Sequence, residues 1–441
     1  MSARHVIVGS GIAGLSAAEA IRERDASGAV TIVSREPHPF YSRPGLAYLL
    51  SGDLPERRLS IRTPAELRAL HLERVHGDAT CIDVERHALH LADGRQLAYD
   101  RLLLATGASS IAPTFEGAGL DGVVRLDGLD DARRILAHAR RGHTAVVIGG
   151  GSTALELVDG LHARGLATHY LMRGDRYWAR VLDEVESELV ERRLERAGVV
   201  LHRRTEVRAA VGSAGRLEAV ETLRGERIAC DLLAVAVGVQ PMLELARAAG
   251  LHTARGVLTD EFLQTSAPDV FAAGDVAQAL DPATGESALD TLWASAQAMG
   301  RTAGRNMAGA REPHRKRPPL NVTRIAGITT TIVGSVGGAD DPDLLTLTRG
   351  QSERWTTSTA EWTLRQSSTD DRIRVLVGPS SIVGAVVMGD QSLSRPLARL
   401  IAEQVDVSAL RPALEAHPGA GIAMLTEFVH ARERGAHAHP A

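Results

Sequence analysis

The first residues alternate short apolar runs with an amphipathic segment, a pattern that predicts a strand, a helix and a second strand. HVIVGSG ends in glycines, IAGLSAAEAIRERD repeats apolar residues at helical spacing, and AVTIVSRE is apolar again. Apolar runs of about four to eight residues are typical of buried strands, and a period of about 3.6 is typical of a helix. Residues His5 to Val33 therefore predict one βαβ unit.

The same pattern returns about 140 residues later, in TAVVIGGG, STALELVDGLHARG and LATHYLMRGDR at Thr144 to Arg176. Each copy is followed by another apolar strand that ends in small residues, Arg101 to Ala108 for the first copy and Asp231 to Val239 for the second. The duplication therefore extends to whole domains. The predicted fold class is α/β, with two Rossmann-like dinucleotide-binding domains.

The remaining chain predicts further elements and a third domain. TSAPDVFAAGDVA predicts a strand that leads into Gly274 and Asp275, and ALDTLWASAQAMGRTAGRNMAG predicts a helix. Beyond a Pro-rich boundary near residue 318, the strands ITTTIVGSVG, RIRVLVG and SIVGAVVMGD and the helix SRPLARLIAEQV predict a C-terminal α+β domain. The final RERGAHAHPA is expected to be a frayed tail.

Three small-residue positions in each βαβ copy carry the candidate chemistry. They are Gly9, Gly11 and Gly14 in the first copy, and Gly149, Gly151 and Ala154 in the second. In a dinucleotide site the first glycine permits the tight turn, the second lets the backbone approach a pyrophosphate, and the third allows close packing. The helix N-terminus then presents N–H groups and a partial positive charge to the phosphates. The sequence therefore predicts two dinucleotide sites.

The residue at the end of the second strand helps to identify each dinucleotide. Glu36 is placed to accept hydrogen bonds from an adenosine ribose in the first unit. The second unit has Met172 or Arg173 at this place, and Arg173 and Arg176 could bind a 2′-phosphate. The alternative is that both arginines are solvated loop charges. This pattern slightly favours NADPH over NADH.

Composition excludes several classes of protein. With 441 residues, the chain is long enough for about three domains. Its 44% apolar and 24% charged residues are typical of a soluble globular protein. A net charge of −4 argues against nucleic-acid binding, and the basic run HRKR at His314 to Arg317 is interpreted as a solvated inter-domain loop. No apolar run approaches the roughly 18 residues of a membrane span, and no signal peptide is evident, so we expect a cytoplasmic protein.

The cysteines exclude a disulfide framework and an iron–sulfur cluster. Cys81 and Cys230 are the only two, and they form no CxxC motif. Both lie at or near predicted strands and are interpreted as small apolar core residues. The two histidines near the C-terminus are weak evidence for a metal, and we assign no metal site. Any redox centre is therefore expected to be a bound organic cofactor.

Four motifs in order resemble a known superfamily: VIVGSGIAG, LLLATGA, VVIGGGSTALE and TSAPDVFAAGDVA. They are similar to the two-dinucleotide-domain flavoproteins of the pyridine nucleotide-disulfide oxidoreductase superfamily, over about residues 5 to 310. The resemblance implies FAD in the first site and NADH or NADPH in the second. We predict an FAD-binding domain at 1–112 and 252–318, an NAD(P)-binding domain at 113–251, a C-terminal domain at 321–430 and a tail at 431–441.

The resemblance also implies roles for individual residues. Asp275 would bind the flavin ribityl chain, although an ordinary helix-cap role is the alternative. The helix that begins near Leu292 and Trp293 would point its N-terminus at the flavin pyrimidine, where it stabilises negative charge. The other residues assigned to FAD by the matching motifs are Ala105, Thr106, Gly107 and Gly274, and those assigned to NAD(P) are Gly238 and Glu156.

The stretch EPHPFYSRPGLAYLLSG, Glu36 to Gly52, identifies the branch of the superfamily. Disulfide reductases carry paired cysteines near this point, whereas this chain has no cysteine between residues 1 and 80. YSRP and the third domain instead resemble the thiol-free branch, which contains NAD(P)H rubredoxin and ferredoxin reductases and the flavin portion of NAD(P)H nitrite reductases. The match implies that Arg43 approaches the FAD pyrophosphate, the alternative being a solvated loop arginine.

Two positions near the flavin and the nicotinamide differ from the branch, and a third matches it. Ferredoxin reductases usually have a lysine near the flavin where this chain has Tyr48, and an aromatic lid is often found where it has Ser152. Glu156 matches the acid near the nicotinamide carboxamide and is the candidate residue for nicotinamide positioning. Its alternative interpretation is a helix-surface glutamate.

The predicted function is that of an FAD-dependent NAD(P)H oxidoreductase without a redox-active disulfide. The nicotinamide would pass a hydride to flavin N5, and a one-electron carrier such as a rubredoxin or ferredoxin would accept the electrons. One alternative acceptor is oxygen, a quinone or another small molecule. A different class of alternative is a redox-state-dependent binding protein or the electron-input subunit of a larger complex. The oligomeric state stays open, with a homodimer among the alternatives.

Overall fold

The computed structural model describes residues 3–60, 62–282, 284–337, 345–350, 371–417 and 420–437. Its helices are α1 (Ile12–Arg24), α2 (Gly45–Ser51), α3 (Pro64–Ala69), α4 (Leu129–His138), α5 (Ser152–Ala163), α6 (Glu184–Ala197), α7 (Glu244–Ala248), α8 (Trp293–Met307), α9 (Ser394–Ala402), α10 (Arg411–Ala416) and α11 (Gly421–His437). A short 3-10 turn covers Glu56–Arg58.

The strands before residue 200 are β1 (Arg4–Val8), β2 (Ala29–Ser34), β3 (Leu72–His76), β4 (Ala79–Asp83), β5 (Ala88–Leu91), β6 (Gln96–Ala98), β7 (Arg101–Leu104), β8 (Ala108–Ser110), β9 (Val123–Val124), β10 (Thr144–Ile148) and β11 (Ala167–Leu171). Those that follow are β12 (Val200–His202), β13 (Val207–Ser213), β14 (Arg216–Thr222), β15 (Arg227–Ala229), β16 (Leu232–Val235), β17 (Val239–Pro241), β18 (Val257–Thr259), β19 (Val270–Ala272), β20 (Ala277–Leu280), β21 (Ser287–Leu289), β22 (Leu320–Ile325), β23 (Ile328–Gly334), β24 (Leu345–Gly350), β25 (Arg372–Val377) and β26 (Ile382–Met388).

The chain forms two compact units. The larger unit contains Met1–Leu171 and Thr205–Lys316, and the smaller unit contains Met172–Arg204 and Arg317–Ala441. Both predicted glycine turns belong to the larger unit. The parallel sheets and their helices confirm the predicted α/β fold with Rossmann-like cores.

The first sheet of the larger unit has the parallel strand order β19-β7-β1-β2-β3. Val6 of β1 lies opposite Thr31 on one side and Leu102 on the other, and Val6, Ile7 and Leu102 are all buried. The order reverses between β1 and β7. In open α/β sheets ligands bind at the carboxyl ends of the strands beside such a reversal, which is where the first glycine turn lies.

The second core repeats this arrangement. Within the larger unit, β11, β10, β16 and β9 are parallel neighbours in that order, and the order reverses between β10 and β16. The glycine turn Gly149–Gly151 follows β10 directly. Short antiparallel strands β8 and β17 pair where the chain enters and leaves this core. The second dinucleotide core is therefore built like the first.

Helices α1 and α8 pack with their backbones in close approach. A Cβ atom at Gly300 would lie 2.2 Å from the carbonyl oxygen of Ala13, and one at Gly304 would lie 2.3 Å from that of Ala17. Any larger side chain at these two positions would separate the helices. The glycine spacing of one helical turn thus fixes α8 on α1.

Two sequence expectations for the larger unit are corrected. The helix whose pattern starts at Ala288 begins at Trp293, where the resemblance placed it, because Ser287–Leu289 forms strand β21, paired antiparallel with β20. Cys81 was expected in the core but is exposed, since the alternation along β4 directs its neighbour Ile82 inward. The other cysteine, Cys230, is buried as predicted.

The basic run at residues 314–317 differs partly from its interpretation as a solvated loop. Arg315, Lys316 and Arg317 are exposed, whereas His314 is 5% exposed and its backbone N–H donates to the carbonyl of Glu261 at 2.6 Å. Burial lowers the pKa of His314, so its ring is held neutral rather than adding to the basic charge.

The smaller unit contains the antiparallel sheet β22-β23-β26-β25-β24. Helix α9 packs against β23 and β26. Of the tail expected at 431–441, residues 431–437 differ from the expectation because α11 continues to His437, and residues 438–441 lie outside the described residues. Among the described residues, no helix is both long and apolar enough to cross a membrane.

Buried ion pairs tie α6 to this sheet. Asp183 and Glu186 form a capping box at the start of α6, and the same carboxylates accept from Arg372 and Arg374 of β25. Arg374 bonds Glu186 through two nitrogens at 2.9 and 3.0 Å, and both side chains are at most 2% exposed. The segment 172–204 therefore packs with the C-terminal residues of the smaller unit. The predicted boundary of the NAD(P)-binding domain at 113–251 stays a prediction.

Breaking this pair is expected to destabilise the smaller unit. Arg374→Met leaves the buried Glu186 carboxylate without its main partner, so the free energy of unfolding should fall by about 3–5 kcal/mol in urea titrations. The double variant Arg374→Met/Glu186→Leu should recover most of this loss. As a control, Arg399→Met removes an exposed pair with Glu403 and should cost less than about 1 kcal/mol. A single variant as stable as the control would contradict the assignment.

Candidate active site

The first glycine turn has the geometry that a bound pyrophosphate requires. Gly9 has φ +119°, and a Cβ there would lie 2.1 Å from the carbonyl oxygen of Ala105. A Cβ at Gly14 would lie 2.1 Å from the carbonyl oxygen of Gly9. Gly11, the N-cap of α1, has nothing within 4 Å of its Cβ position. Two positions therefore need glycine for the protein's own packing, and the third leaves open space at the helix N-terminus.

The second turn reproduces these features. Gly149 has φ +150°, and its Cβ position lies 2.2 Å from the carbonyl oxygen of Ala236 and 2.8 Å from the Cβ of Ala154. Gly151, the N-cap of α5, again has nothing within 4 Å. The turns are also anchored alike, since Gly9 N donates to Val33 O and Gly149 N donates to the last residue of β11. Both turns thus fit a dinucleotide pyrophosphate.

Glu36 and Arg43 lie together beside the first turn. Arg43 Nη2 donates to Glu36 Oε1 at 2.6 Å, and the Tyr41 hydroxyl donates to Glu36 Oε2 at 2.6 Å. Burial raises the pKa of Tyr41, which keeps this donor protonated. Tyr41 also accepts from the Leu129 N–H at 3.0 Å, and Arg43 bonds the carbonyl of Asp127. The structure therefore brings the predicted ribose acid and phosphate arginine into one ion pair.

Tyr41 was missed by the sequence analysis. Its partner Leu129 lies at the start of α4, 88 positions further along the chain, so no local sequence pattern predicts the contact. The only signal was an aromatic residue two positions before Arg43. The Glu36 backbone N–H also donates to Ser34 Oγ at 3.2 Å, and Ser34 Oγ is 2.8 Å from Ser10 Oγ in the glycine turn. These bonds connect the predicted ribose acid to the turn itself.

The remaining residues predicted for FAD surround the carboxyl ends of β7 and β19. Thr106 Oγ1 donates to the carbonyl of Met242 at 3.3 Å, and the flanking residues Ala105 and Gly107 complete the end of the strand. Gly274 has φ +80° and its Cβ position lies 3.0 Å from the Cβ of Ala13 on α1. The segments after both strands therefore converge on the start of α1.

Trp293 is the first residue of α8 and is half-buried. Its ring lies against Phe40, with 6.3 Å between the centroids and 45° between the planes. Leu292, the N-cap, has extended backbone and donates to Asp290 Oδ1 at 3.2 Å. The Asp290 carboxylate therefore lies just ahead of the end of α8 that was predicted to face the flavin, and α8 has no side-chain N-cap.

Asp275 is half-buried, and the pKa of its carboxyl group is raised. Burial and, to a smaller extent, the nearby Asp290 carboxylate raise its pKa to about 6, against the opposing charge of Arg43. Asp290 was missed by the sequence analysis, although an acid just ahead of the α8 helix was a visible signal. At the predicted flavin end of the site, the charges of Asp290 and Arg43 therefore act in opposite directions on the Asp275 carboxyl group.

The shifted pKa of Asp275 predicts a pH-dependent stability of the flavin-free protein. Because the folded state holds this proton up to about pH 6 and the unfolded chain loses it near pH 3.8, stability falls as the pH rises through this window. Asp275→Asn removes the cost of ionisation. We expect its Tm to exceed that of the wild type by a few degrees at pH 7 and to match it at pH 4, as measured by differential scanning calorimetry.

The same position tests the predicted flavin contact. Asp275→Ala is expected to weaken FAD retention, which the ratio of flavin to protein absorbance after purification measures. An Asn variant whose Tm difference does not change between pH 4 and 7 would contradict the raised pKa. Unchanged flavin content in the Ala variant would contradict the ribityl contact.

The residues predicted for NAD(P) are placed as follows. Gly238 has φ +125° and its carbonyl accepts from Ile111 N–H at 2.9 Å. Glu156 is half-buried, one turn into α5, and Ser152 begins that helix. Tyr48 on α2 is 40% exposed. The predicted roles of Gly238 and Glu156 toward NAD(P) stay predictions, and Tyr48 and Ser152 mark the two departures from the branch.

The two candidate 2′-phosphate arginines belong to the smaller unit. Arg173 is exposed, and Arg176 is half-buried with its Nη2 3.5 Å from the carbonyl oxygen of Ala179. Their predicted role in choosing NADPH stays a prediction.

The cysteines offer no redox pair at the flavin. Burial raises the pKa of Cys230 to about 12, with the Asp231 carboxylate adding to the effect, so this thiol is inert near neutral pH. Cys81 is an unbridged thiol on β4. In the described part of the chain, no group of three His, Cys, Asp or Glu residues could hold a metal ion.

Comparison with known proteins agrees with this geometry. A family model described as pyridine nucleotide-disulphide oxidoreductase matches residues 3–302. The chain is 34% identical to the biphenyl dioxygenase system ferredoxin–NAD(+) reductase component of Paraburkholderia xenovorans (strain LB400), over 75% of this chain and 81% of that protein. It is 29% identical to the NADH-dependent phenylglyoxylate dehydrogenase subunit epsilon of Aromatoleum evansii, over 94% of this chain and 95% of that protein.

A solved structure extends the comparison to the fold. The crystal structure of the covalent putidaredoxin reductase–putidaredoxin complex contains a chain that matches with a TM-score of 0.81 and 25% identity, over 96% of this chain and 98% of that one. The resemblance first noted in four sequence motifs is therefore confirmed at the level of the family and the fold. The chain belongs to the pyridine nucleotide-disulphide oxidoreductase family and is an FAD-dependent NAD(P)H oxidoreductase.

Proposed function

We propose that this chain transfers electrons from NADH or NADPH through FAD to a small iron–sulfur carrier protein of the rubredoxin or ferredoxin type. The observation that carries the proposal is the pair of matched glycine turns, at Gly9–Gly14 and Gly149–Ala154, within one compact unit. The FAD ring supplies the chemistry, since it takes up a hydride and can release electrons one at a time.

The chain's own residues bind and orient the two cofactors. The N-termini of α1 and α5 donate to the two pyrophosphates, where Gly11 and Gly151 leave room. Arg43 offers a planar pair of donors to the FAD phosphates, and Glu36 accepts from the adenosine ribose. Asp275 holds the ribityl chain. Glu156 orients the nicotinamide, so that the reaction depends on positioning and not on an acid–base pair.

The acceptor is proposed from the cysteines and the relatives together. The chain lacks a cysteine before residue 81, and the only other thiol, Cys230, is buried. Electrons therefore leave the flavin without a protein disulfide. The relative from Paraburkholderia xenovorans is by name a ferredoxin reductase, and the matching solved structure is a complex of a reductase with its carrier. Exposed Arg57 and Arg58 would favour an acidic carrier.

An anaerobic absorbance titration tests the proposal. The purified protein is titrated with NADH and with NADPH separately, and the oxidised flavin band is followed. Rapid bleaching is expected with at least one nucleotide, and a rubredoxin or ferredoxin added afterwards should restore the band faster than a quinone or dissolved oxygen. Fastest reoxidation by oxygen or a quinone would favour the small-molecule alternative. A flavin that stays oxidised with both nucleotides would refute the proposal.

A second candidate is the electron-input subunit of a larger complex. The specific observation in its favour is the match to the phenylglyoxylate dehydrogenase subunit, which spans nearly the full length of both chains. In this case the flavin would still bleach with NAD(P)H, but free carriers would reoxidise it slowly. Co-purification of the tagged chain from its own cells would then yield stoichiometric partner subunits.

We also propose the domain boundaries, cellular location and assembly predicted from the sequence. The FAD-binding domain would cover 1–112 and 252–318, the NAD(P)-binding domain 113–251 and the C-terminal domain 321–430. The protein would act in the cytoplasm, either alone or as a homodimer. Light scattering of the purified chain measures the assembly directly.

A further inference from the structure

Arg164 connects the second dinucleotide core to a helix of the first. It is the C-cap of α5, and its Nε and Nη2 donate to the carbonyl oxygens of Leu50 and Leu49, both at 2.8 Å. Leu49 and Leu50 belong to the last turn of α2, where carbonyl groups have no i+4 N–H partner within the helix. The Leu49 carbonyl also accepts from the Gly52 N–H at the C-cap. A guanidinium also suits the negative end of a helix dipole. Arg164 therefore holds the C-terminal end of α2.

The two helices lie so close that a side chain at Gly160 would have to displace α2 by a few tenths of an ångström. A Cβ atom at Gly160 of α5 would lie 3.0 Å from the Cβ of Leu50 and 3.4 Å from its backbone carbon. Gly52 ends α2 with φ +88°, and its Cβ position lies 3.5 Å from Arg164 Nη2. The contact is thus formed by a glycine on one helix and by the Arg164 hydrogen bonds at its end.

These helices are continuous with the two cofactor sites. α5 begins directly after its N-cap Gly151, the open glycine of the second turn, and carries Glu156. α2 begins directly after Arg43 and Pro44, in the segment predicted to reach the FAD pyrophosphate. A twelve-residue helix is rigid and about 18 Å long, so a displacement at its C-terminal end is carried to its N-terminal turn.

We propose that Arg164 is a positioning residue for hydride transfer, because it fixes the place of α5, and with it the nicotinamide, relative to the FAD segment Arg43–Gly52. The inference rests on the proposed electron transfer from NAD(P)H to FAD. Hydride transfer needs the reacting atoms at about 3–3.5 Å, and a displacement of about 1 Å can cost roughly a hundredfold in rate. Nucleotide affinity depends on α5's own N-terminus, which moves together with the bound nucleotide.

The inference therefore separates the rate of hydride transfer from nucleotide affinity. In Arg164→Ala, the limiting rate of anaerobic flavin bleaching at saturating NAD(P)H should fall by about tenfold to a hundredfold. The Kd of the unreactive oxidised nucleotide, measured by equilibrium dialysis, should stay within about twofold of the wild type. Arg164→Lys, which retains one donor group, should recover part of the rate.

Hydrogen exchange gives a readout that does not depend on turnover. The Gly52 N–H donates to Leu49 O and the Leu54 N–H donates to Tyr48 O, so both amides report on the end of α2. In Arg164→Ala their exchange should become faster because the last turn opens more often. The hydrogen bonds of Arg164 reach α2 and not α1, so exchange in α1 should be unchanged.

A matched control distinguishes positioning from general stability. Arg22 donates to the carbonyl groups of Leu70, Asp25 and Gly28, all within the first core. Arg22→Ala should lower Tm at least as much as Arg164→Ala, yet leave the limiting bleaching rate unchanged in molecules that contain flavin. Gly160→Ala provides a second test, because it should push α2 from α5 and slow bleaching with Arg164 still in place.

Two results would overturn the inference. The first is a limiting bleaching rate that is unchanged in both Arg164→Ala and Gly160→Ala. The second is a loss of rate in Arg22→Ala as large as that in Arg164→Ala. Either result could occur while the wild-type flavin is bleached normally, so the proposed function would stand. A wild-type flavin that NAD(P)H does not bleach would instead reject the proposed function, and the role of Arg164 with it.

Discussion

Replacing Gly11 with Val is expected to give a folded protein that purifies almost without FAD. The backbone at Gly11 has φ −74°, which any residue adopts, and nothing lies within 4 Å of its Cβ position. A valine therefore costs the apoprotein little. It would occupy the space through which a pyrophosphate must reach the N-terminus of α1, and the FAD affinity should fall by at least about a hundredfold, or roughly 2.8 kcal/mol.

Flavin absorbance relative to protein absorbance measures this effect, and circular dichroism checks the fold. Gly119→Val is the matched control, because that glycine is as open as Gly11, is exposed, and belongs to the connection between β8 and β9 and to neither glycine turn. It should retain full FAD. Gly9→Val should instead fail to fold, since its side chain would collide with the backbone of Ala105. A Gly11→Val protein with full flavin content would refute the first site.

The corresponding substitution in the second turn, Gly151→Val, is expected to keep FAD and to lose reduction by NAD(P)H. Gly151 is as open as Gly11, so the fold should tolerate the valine. Nucleotide binding should weaken by about a hundredfold, or roughly 2.8 kcal/mol. Dithionite, which needs no nucleotide site, should still bleach the flavin completely. Titrations with NAD(P)H and with dithionite measure the two responses on one sample.

The two valine variants together test which core binds FAD and which binds NAD(P). Loss of FAD in Gly151→Val, with retention in Gly11→Val, would reverse the assignment of the two cores. A Gly151→Val protein that NAD(P)H still bleaches at the wild-type rate and concentration would show that the second turn does not bind the nucleotide.

Both dinucleotide cores could be predicted from the sequence because their signals are local. A strand, a glycine turn and a helix lie within about thirty residues, and the roles of Gly9 and Gly14 follow from contacts inside that unit. The duplicate at Gly149 strengthened each interpretation. Comparison with the structure shows why the predicted motif glycines differ in function, since Gly11 and Gly151 face open space whereas Gly9, Gly14 and Gly149 lie against backbone atoms.

Contacts between distant segments could not be predicted in the same way. Arg372 and Arg374 alternate with apolar residues and would normally be placed on the solvent face of β25. They are buried because Asp183 and Glu186, nearly two hundred positions earlier, neutralise them. The pairing of Tyr41 with the start of α4 is equally invisible in the sequence. The placement of Cys81 failed because it depends on which face of β4 is covered, and a short strand does not specify this.

The glycine contact between α1 and α8 has a consequence for the thermodynamics of cofactor uptake. Because Gly300 and Gly304 lie against the backbone of α1, the distance between the N-termini of the two helices is set by the polypeptide before any ligand arrives. A receptor prepared in this way loses little conformational entropy on binding. We therefore expect FAD binding to cause only a small change in hydrogen exchange across α1 and α8. The site would be preorganised in the apoprotein and would not fold on binding.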